Sequence, residues 1–154
     1  MKSASKIEPN ELRSVLVAFA FVFTLMAAWY ILRPVRDAMA SDWTDTEVSF
    51  LWNLNFFASI IVVALYGFAV AHIRFKYLVP CVYTFFGLSF VAFYFGVSGV
   101  EDRLLIDKIF YVWVSVFSLF HISVFWSFMS DLYTKEQSNR LFAFIAAGAS
   151  AGAI

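Results

Sequence analysis

Charge is what this sequence lacks most. Only 14% of its residues are Asp, Glu, Lys or Arg, against about a quarter in a soluble domain, and so sparse a set cannot cover a surface built for water. No block of like charge occurs and the formal net charge is zero, which excludes a nucleic-acid or acidic-protein partner held by a charged patch. Cysteine is nearly missing too: Cys81 stands alone in an apolar run, so neither a disulfide framework within the chain nor a cysteine-rich metal site is available. There is no Gly-rich phosphate loop, no serine in a nucleophile elbow and no histidine pair at metal-ligand spacing. An enzyme is not expected, and neither is a cofactor or a metal.

What is present is apolar bulk. Hydrophobic residues make up 62% of the 154, and 20 Phe and 5 Trp are among them. A domain this small keeps much of its surface outside the core, so these rings must face a bilayer or neighbouring helices. Crossing a bilayer takes about 20 apolar residues in a helix, and four uncharged stretches are long enough: 15–32, 48–71, 77–100 and 109–130. None alternates as barrel strands do. A fifth run starts at Leu141 and is still apolar at Ile154, as a helix cut short would be. The expected fold class is all-α, a polytopic transmembrane helical bundle. A tail over 1–13 precedes spans at about 14–36, 48–71, 77–100, 107–130 and 139–154, the last truncated. The first span is too long for the apolar part of a signal peptide and reads as a retained helix.

If the spans alternate in direction, Lys2, Lys6, Arg13, Arg74, Lys76, Lys135 and Arg140 fall on one side, and Arg33, Arg36, Arg103 and Lys108 on the other. The positive-inside rule then puts the N-terminus in the cytoplasm. The small residues from Ala146 to Gly152 contain Gly148-x-x-x-Gly152, which lets a second helix approach closely.

Few residues could carry chemistry. Two arginines end the first span, in Tyr30-Ile-Leu-Arg33-Pro34-Val-Arg36-Asp37. Each would cost about 2.5–3.5 kcal/mol at the bilayer centre, so they belong near the interface or in a wet cavity. If the helix continues past Pro34, Tyr30, Arg33, Arg36 and Asp37 share a face and Arg33 can pair with Asp37. A guanidinium left free of a carboxylate would suit phosphate or carboxylate oxygens; otherwise the group is an interfacial anchor. In the second span Asn53, Asn55 and Ser59 either bond a neighbouring helix or line a substrate path. His121 is the only ionisable group well inside a span, open to proton handling, substrate contact or an ordinary bond across helices. Asp131, Lys135, Glu136, Gln137 and Arg140 crowd the connection after the fourth span, where Glu136 and Arg140 have the spacing of an intrahelical pair.

The arginine string resembles the first-helix signature of the nucleotide translocase family, the ATP/ADP exchangers of plastids and obligate intracellular bacteria. The resemblance continues through Phe110-Tyr-Val-Trp-Val-Ser-Val-Phe117, Ser123-Val-Phe-Trp-Ser-Phe-Met-Ser-Asp131, Gln137 and Arg140-Leu-Phe-Ala-Phe-Ile-Ala-Ala-Gly148. It implies a major-facilitator-like transporter of twelve helices in two halves. This chain would supply the first five, and the C-terminal half would be its partner around a midplane site. It further implies exchange of a nucleoside triphosphate for a diphosphate across a bacterial inner membrane, with Arg33 and Arg36 on the phosphates. Tyr30, Asp37, Asn53 and His121 are the other candidates for substrate contact. Arg74 and Lys76 would serve the gate after the second span, where Ala71 stands in place of the family's usual acid, and Asp131 and Arg140 the one after the fourth. Two other readings remain open: a proton-coupled facilitator for another anionic solute, with His121 or Asp131 taking the proton, and a helical membrane scaffold that transports nothing.

Overall fold

A computed structural model describes residues 7–97 and 103–154. Five helices follow one another: α1 (Leu12–Ala40), α2 (Asp45–His72), α3 (Phe75–Gly96), α4 (Arg103–Leu132) and α5 (Lys135–Gly152). No strand occurs among the described residues. The first four helices are long and apolar enough to cross a membrane.

The helix bounds differ from the expected spans for local reasons. Helix α1 runs through Pro34 and beyond Asp37, although an interior proline withholds one N–H from the ladder and crowds the carbonyl four residues back. Helix α2 starts at Asp45, where Thr44 and Glu47 form a capping box: each side chain takes the other's free backbone N–H. Helix α3 stops at Gly96, and its expected end near Val100, like Lys2 and Lys6 of the tail, lies outside the described residues. The fifth helix starts earlier than the span expected at about 139: α5 begins at Lys135, because Thr134 and Gln137 form a second capping box. Its first two turns, Lys135 to Arg140, are polar, and α5 is not among the helices apolar enough to span.

The Cα framework separates into two compact units, one of residues up to Ile31 together with His121–Ile154, the other Leu32–Phe120. In the first unit, α1 buries Val15, Ala18, Val22 and Leu25, a three-and-four spacing that makes one stripe. Helix α5 buries Leu141, Ile145, Gly148 and Gly152. At Gly148 an added Cβ would lie 2.7 Å from the carbonyl oxygen of Phe19, and at Gly152 it would run into the backbone of Phe23. The small-residue patch is therefore a helix-packing surface, with the two glycines against backbone one turn apart on α1. The Phe19 and Phe144 rings meet at 5.4 Å beside it.

In the second unit α4 is the inner helix. It buries Tyr111, Val114, Ser115, Phe117 and Phe120, and α3 adds Leu78, Val79 and Phe86. The Phe86 ring sits 5.4 Å from Trp113 and 5.1 Å from Phe117. Helix α2 is the opposite case: Leu51 is its one buried residue, while Phe50, Phe56, Phe57, Ile61 and Phe68 stand more than half exposed. An apolar face of that size suits acyl chains or another helix, not water.

Candidate functional site

The second unit gathers its polar groups at the end of α1. Asp37 lies between the two arginines, which corrects the expectation that one guanidinium is free of a carboxylate. Its Oδ1 accepts from Arg36 Nε at 3.0 Å and from Nη2 at 2.7 Å, and its Oδ2 stands 3.7 Å from Arg33 Nε. Arg33 reaches Asp37 one turn ahead along its face of the helix, and Arg36 bonds the residue that follows it. The triad of two arginines and one carboxylate keeps a net positive charge. Its members differ in setting: the Arg36 side chain is 19% exposed and the Arg33 side chain 54%. At that exposure the Arg33 pair contributes little to stability.

Arg36 is held from a second direction by α4. Its Nη1 donates to Ser115 Oγ at 3.3 Å, and its guanidinium carbon lies 5.4 Å from the centre of the Tyr111 ring, within cation–π range. Tyr111 is itself fixed. Trp52 Nε1 on α2 donates to its hydroxyl at 3.1 Å, the Trp43 ring meets its edge at 5.5 Å, and Ser115 Oγ donates to its backbone carbonyl at 2.8 Å. One turn before it, Lys108 Nζ and Glu47 Oε1 pair at 2.7 Å, so this cation is neutralised by its own carboxylate. An open cleft of about 640 Å³ lies nearby, lined by Val35, Met39, Trp43 and the carboxylates Asp42 and Asp107. Those carboxylates make it a poor seat for an anion, and neither Arg33 nor Arg36 lines it.

Of the remaining sequence candidates, Asn53, Arg74 and Lys76 share the second unit but do not join this cluster, and Tyr30, His121, Asp131 and Arg140 belong to the first unit. Tyr30 belongs to the first unit and is exposed. Asn53 bonds neither a neighbouring helix nor the arginines: its Nδ2 donates to the Ser49 carbonyl of its own helix at 2.9 Å. Ser59 likewise donates to the Asn55 carbonyl at 2.6 Å, and Asn55 Oδ1 has no hydrogen-bond partner. The expected bonds across helices fail here because α2 has almost no buried positions from which a short side chain could reach a neighbour. His121 lies in the first unit, 5% exposed, its ring stacked on Trp29. Arg74 caps α3 and is exposed, as is Lys76, whose ammonium sits over the ring of the next residue, Tyr77. Asp131 is exposed near the end of α4.

Arg140 corrects another expectation. It reaches Glu11 at 3.0 Å and Glu8 at 3.8 Å, residues far off in sequence, in place of the intrahelical partner Glu136. Gln137 Nε2 donates to the same Glu11 oxygen at 2.9 Å. The Gln137 amide, with the Glu8 backbone N–H and Arg140, holds the Glu11 carboxyl below the ordinary carboxylate range although burial opposes this. The foot of α1 is thereby tied to the first turns of α5.

Tyr111, Trp52 and Trp43 were not singled out from the sequence. Tyr111 does fall inside the Phe110–Phe117 string that carries the resemblance, the one signal that could have found it. Comparison with known proteins returns no matching family model, no matching curated protein and no matching solved structure.

Proposed function

We propose that this chain is part of a secondary transporter that exchanges anionic nucleotides, ATP against ADP, across a membrane by alternating access. The observation that supports this best is the half-buried Arg36, kept on the face of a span-long helix by Asp37, Ser115 and Tyr111. A guanidinium in such a setting costs free energy that its bonds to Asp37 and Ser115 offset only in part, so its retention points to use, and one net positive charge with fork-shaped donors suits a phosphate. The nucleotide itself is inferred from the resemblance of the arginine string, and the twelve-helix frame, the missing half and the bacterial inner membrane come with it. A cytoplasmic N-terminus is drawn from the positive-inside count.

Labelled ATP uptake into proteoliposomes loaded with ADP, phosphate or nothing tests the proposal. Uptake is expected only with internal nucleotide. Arg36→Lys should lose most of it, since an ammonium cannot replace the fork, and Arg33→Lys should lose less because that side chain is exposed and loosely paired. No nucleotide uptake by the correctly inserted full-length transporter would overturn the reading. The buried His121 favours one alternative, a proton-coupled carrier of another anion, which predicts uptake driven by a pH gradient and indifferent to ADP.

A further inference from the structure

In the first unit a groove of about 400 Å³ runs between the start of α1 and the end of α4. Val17 and Phe21 of α1 and Phe128 and Leu132 of α4 form its apolar length, and Asn10 and Arg13 stand at its mouth. Ser14 and Tyr133 close one flank with a hydrogen bond of 2.8 Å. The spacing of Asn10, Arg13, Val17 and Phe21 places them in one row, so a polar end leads into an apolar channel about 12 Å along the helix.

The charges at this end are sorted. Glu8 and Glu11 are turned to Arg140, no carboxylate lines the groove, and Arg13 is exposed with no ion pair among the described residues. Both bounding helices are long and apolar enough to cross a membrane. The mouth lies where their apolar stretches end, at the level of headgroups.

We propose that this groove binds one anionic phospholipid, its phosphate on Arg13 and Asn10 and an acyl chain along Val17, Phe21 and Phe128. Charge complementarity selects the occupant, because an isolated cation above an apolar channel matches a lipid carrying net negative charge better than a zwitterion. The proposal needs the membrane setting and not nucleotide exchange.

Native mass spectrometry of the detergent-solubilised protein, titrated with dioleoyl phosphatidylglycerol or dioleoyl phosphatidylcholine, tests it. Phosphatidylglycerol is expected to be retained in preference. Arg13→Gln should weaken its retention roughly fivefold, the effect of one basic residue at an anionic lipid surface, and bring the two lipids level. Val17→Trp, which fills the channel and leaves Arg13 in place, should weaken both lipids. Arg13 and Val17 are exposed, so neither variant should change the unfolding temperature of the lipid-free protein. Equal retention by wild type and Arg13→Gln, indifference to Val17→Trp, or displacement of the lipid by millimolar inorganic phosphate would each overturn the proposal, the last by making this a free-anion site.

Discussion

Trp29 and His121 lie face to face, ring centroids 5.2 Å apart and planes 24° from parallel. An imidazole in an apolar helix thus has an aromatic surface as a neighbour, and His121 contributes packing whatever its protonation.

His121→Ala should leave a hole beside Trp29 and cost about 2–4 kcal/mol, as other large-to-small changes in buried sites do. His121→Phe keeps a ring there and should cost less than about 2 kcal/mol. Chemical unfolding in one detergent checks both. If His121→Phe keeps normal uptake, the proton-coupled alternative loses the buried residue that favoured it.

Tyr111 separates positioning from bulk. Tyr111→Phe loses the bond from Trp52 but leaves a ring beside Arg36, so nucleotide uptake should stay near wild type. Tyr111→Leu removes the ring face, and uptake should fall by roughly threefold to thirtyfold, the span of a cation–π contact. The Michaelis constant for ATP should rise, because a loosened Arg36 weakens binding. Equal uptake in the two variants would remove Tyr111 from the account.

Two glycines should respond with opposite sign. Gly152→Ala drives a Cβ into the Phe23 backbone, which cannot rotate away, and should cost about 1–3 kcal/mol. Gly67→Ala on α2 meets nothing within 4 Å and should stabilise by up to about 1 kcal/mol through helix propensity alone. Thermal unfolding of the two variants under the same conditions reads the contrast.

Acid should loosen the foot of α1. The Glu11 pKa is lower in the folded state than its ordinary value, so its contribution is complete above the ordinary carboxylate pKa and is lost as pH falls through the depressed one. Unfolding followed from neutral pH down through the carboxylate range should show Glu11→Gln with a shallower acid slope than wild type.

The four long helices were legible because lipid demands length and apolarity, and both are sequence properties. Their starts were less so, although Thr44-Asp-Thr-Glu47 and Thr134-Lys-Glu-Gln137 carry the residue types of capping boxes at the right spacing. The pairing of charges was misread for a physical reason. Helical spacing selects Glu136 for Arg140, yet a long guanidinium side chain reaches another helix as readily as its own next turn, and Glu11 offers a buried oxygen already oriented by Gln137. Lys108 and Glu47 are likewise partners that no local rule could join. Asn53 was over-read because a polar side chain in an apolar run can satisfy itself on the carbonyl four residues back.

Helix α2 also sets a depth. Its 28 residues measure about 42 Å, some 12 Å more than the hydrocarbon thickness of a bilayer. Centred upright, it leaves about 6 Å beyond the hydrocarbon at each end. Trp52, seven residues from its start, then lies only about 4–5 Å beneath that boundary, and Tyr111 is hydrogen-bonded to it there. An anion approaching Arg36 from this side would meet it at the doorway, before surrendering most of its hydration.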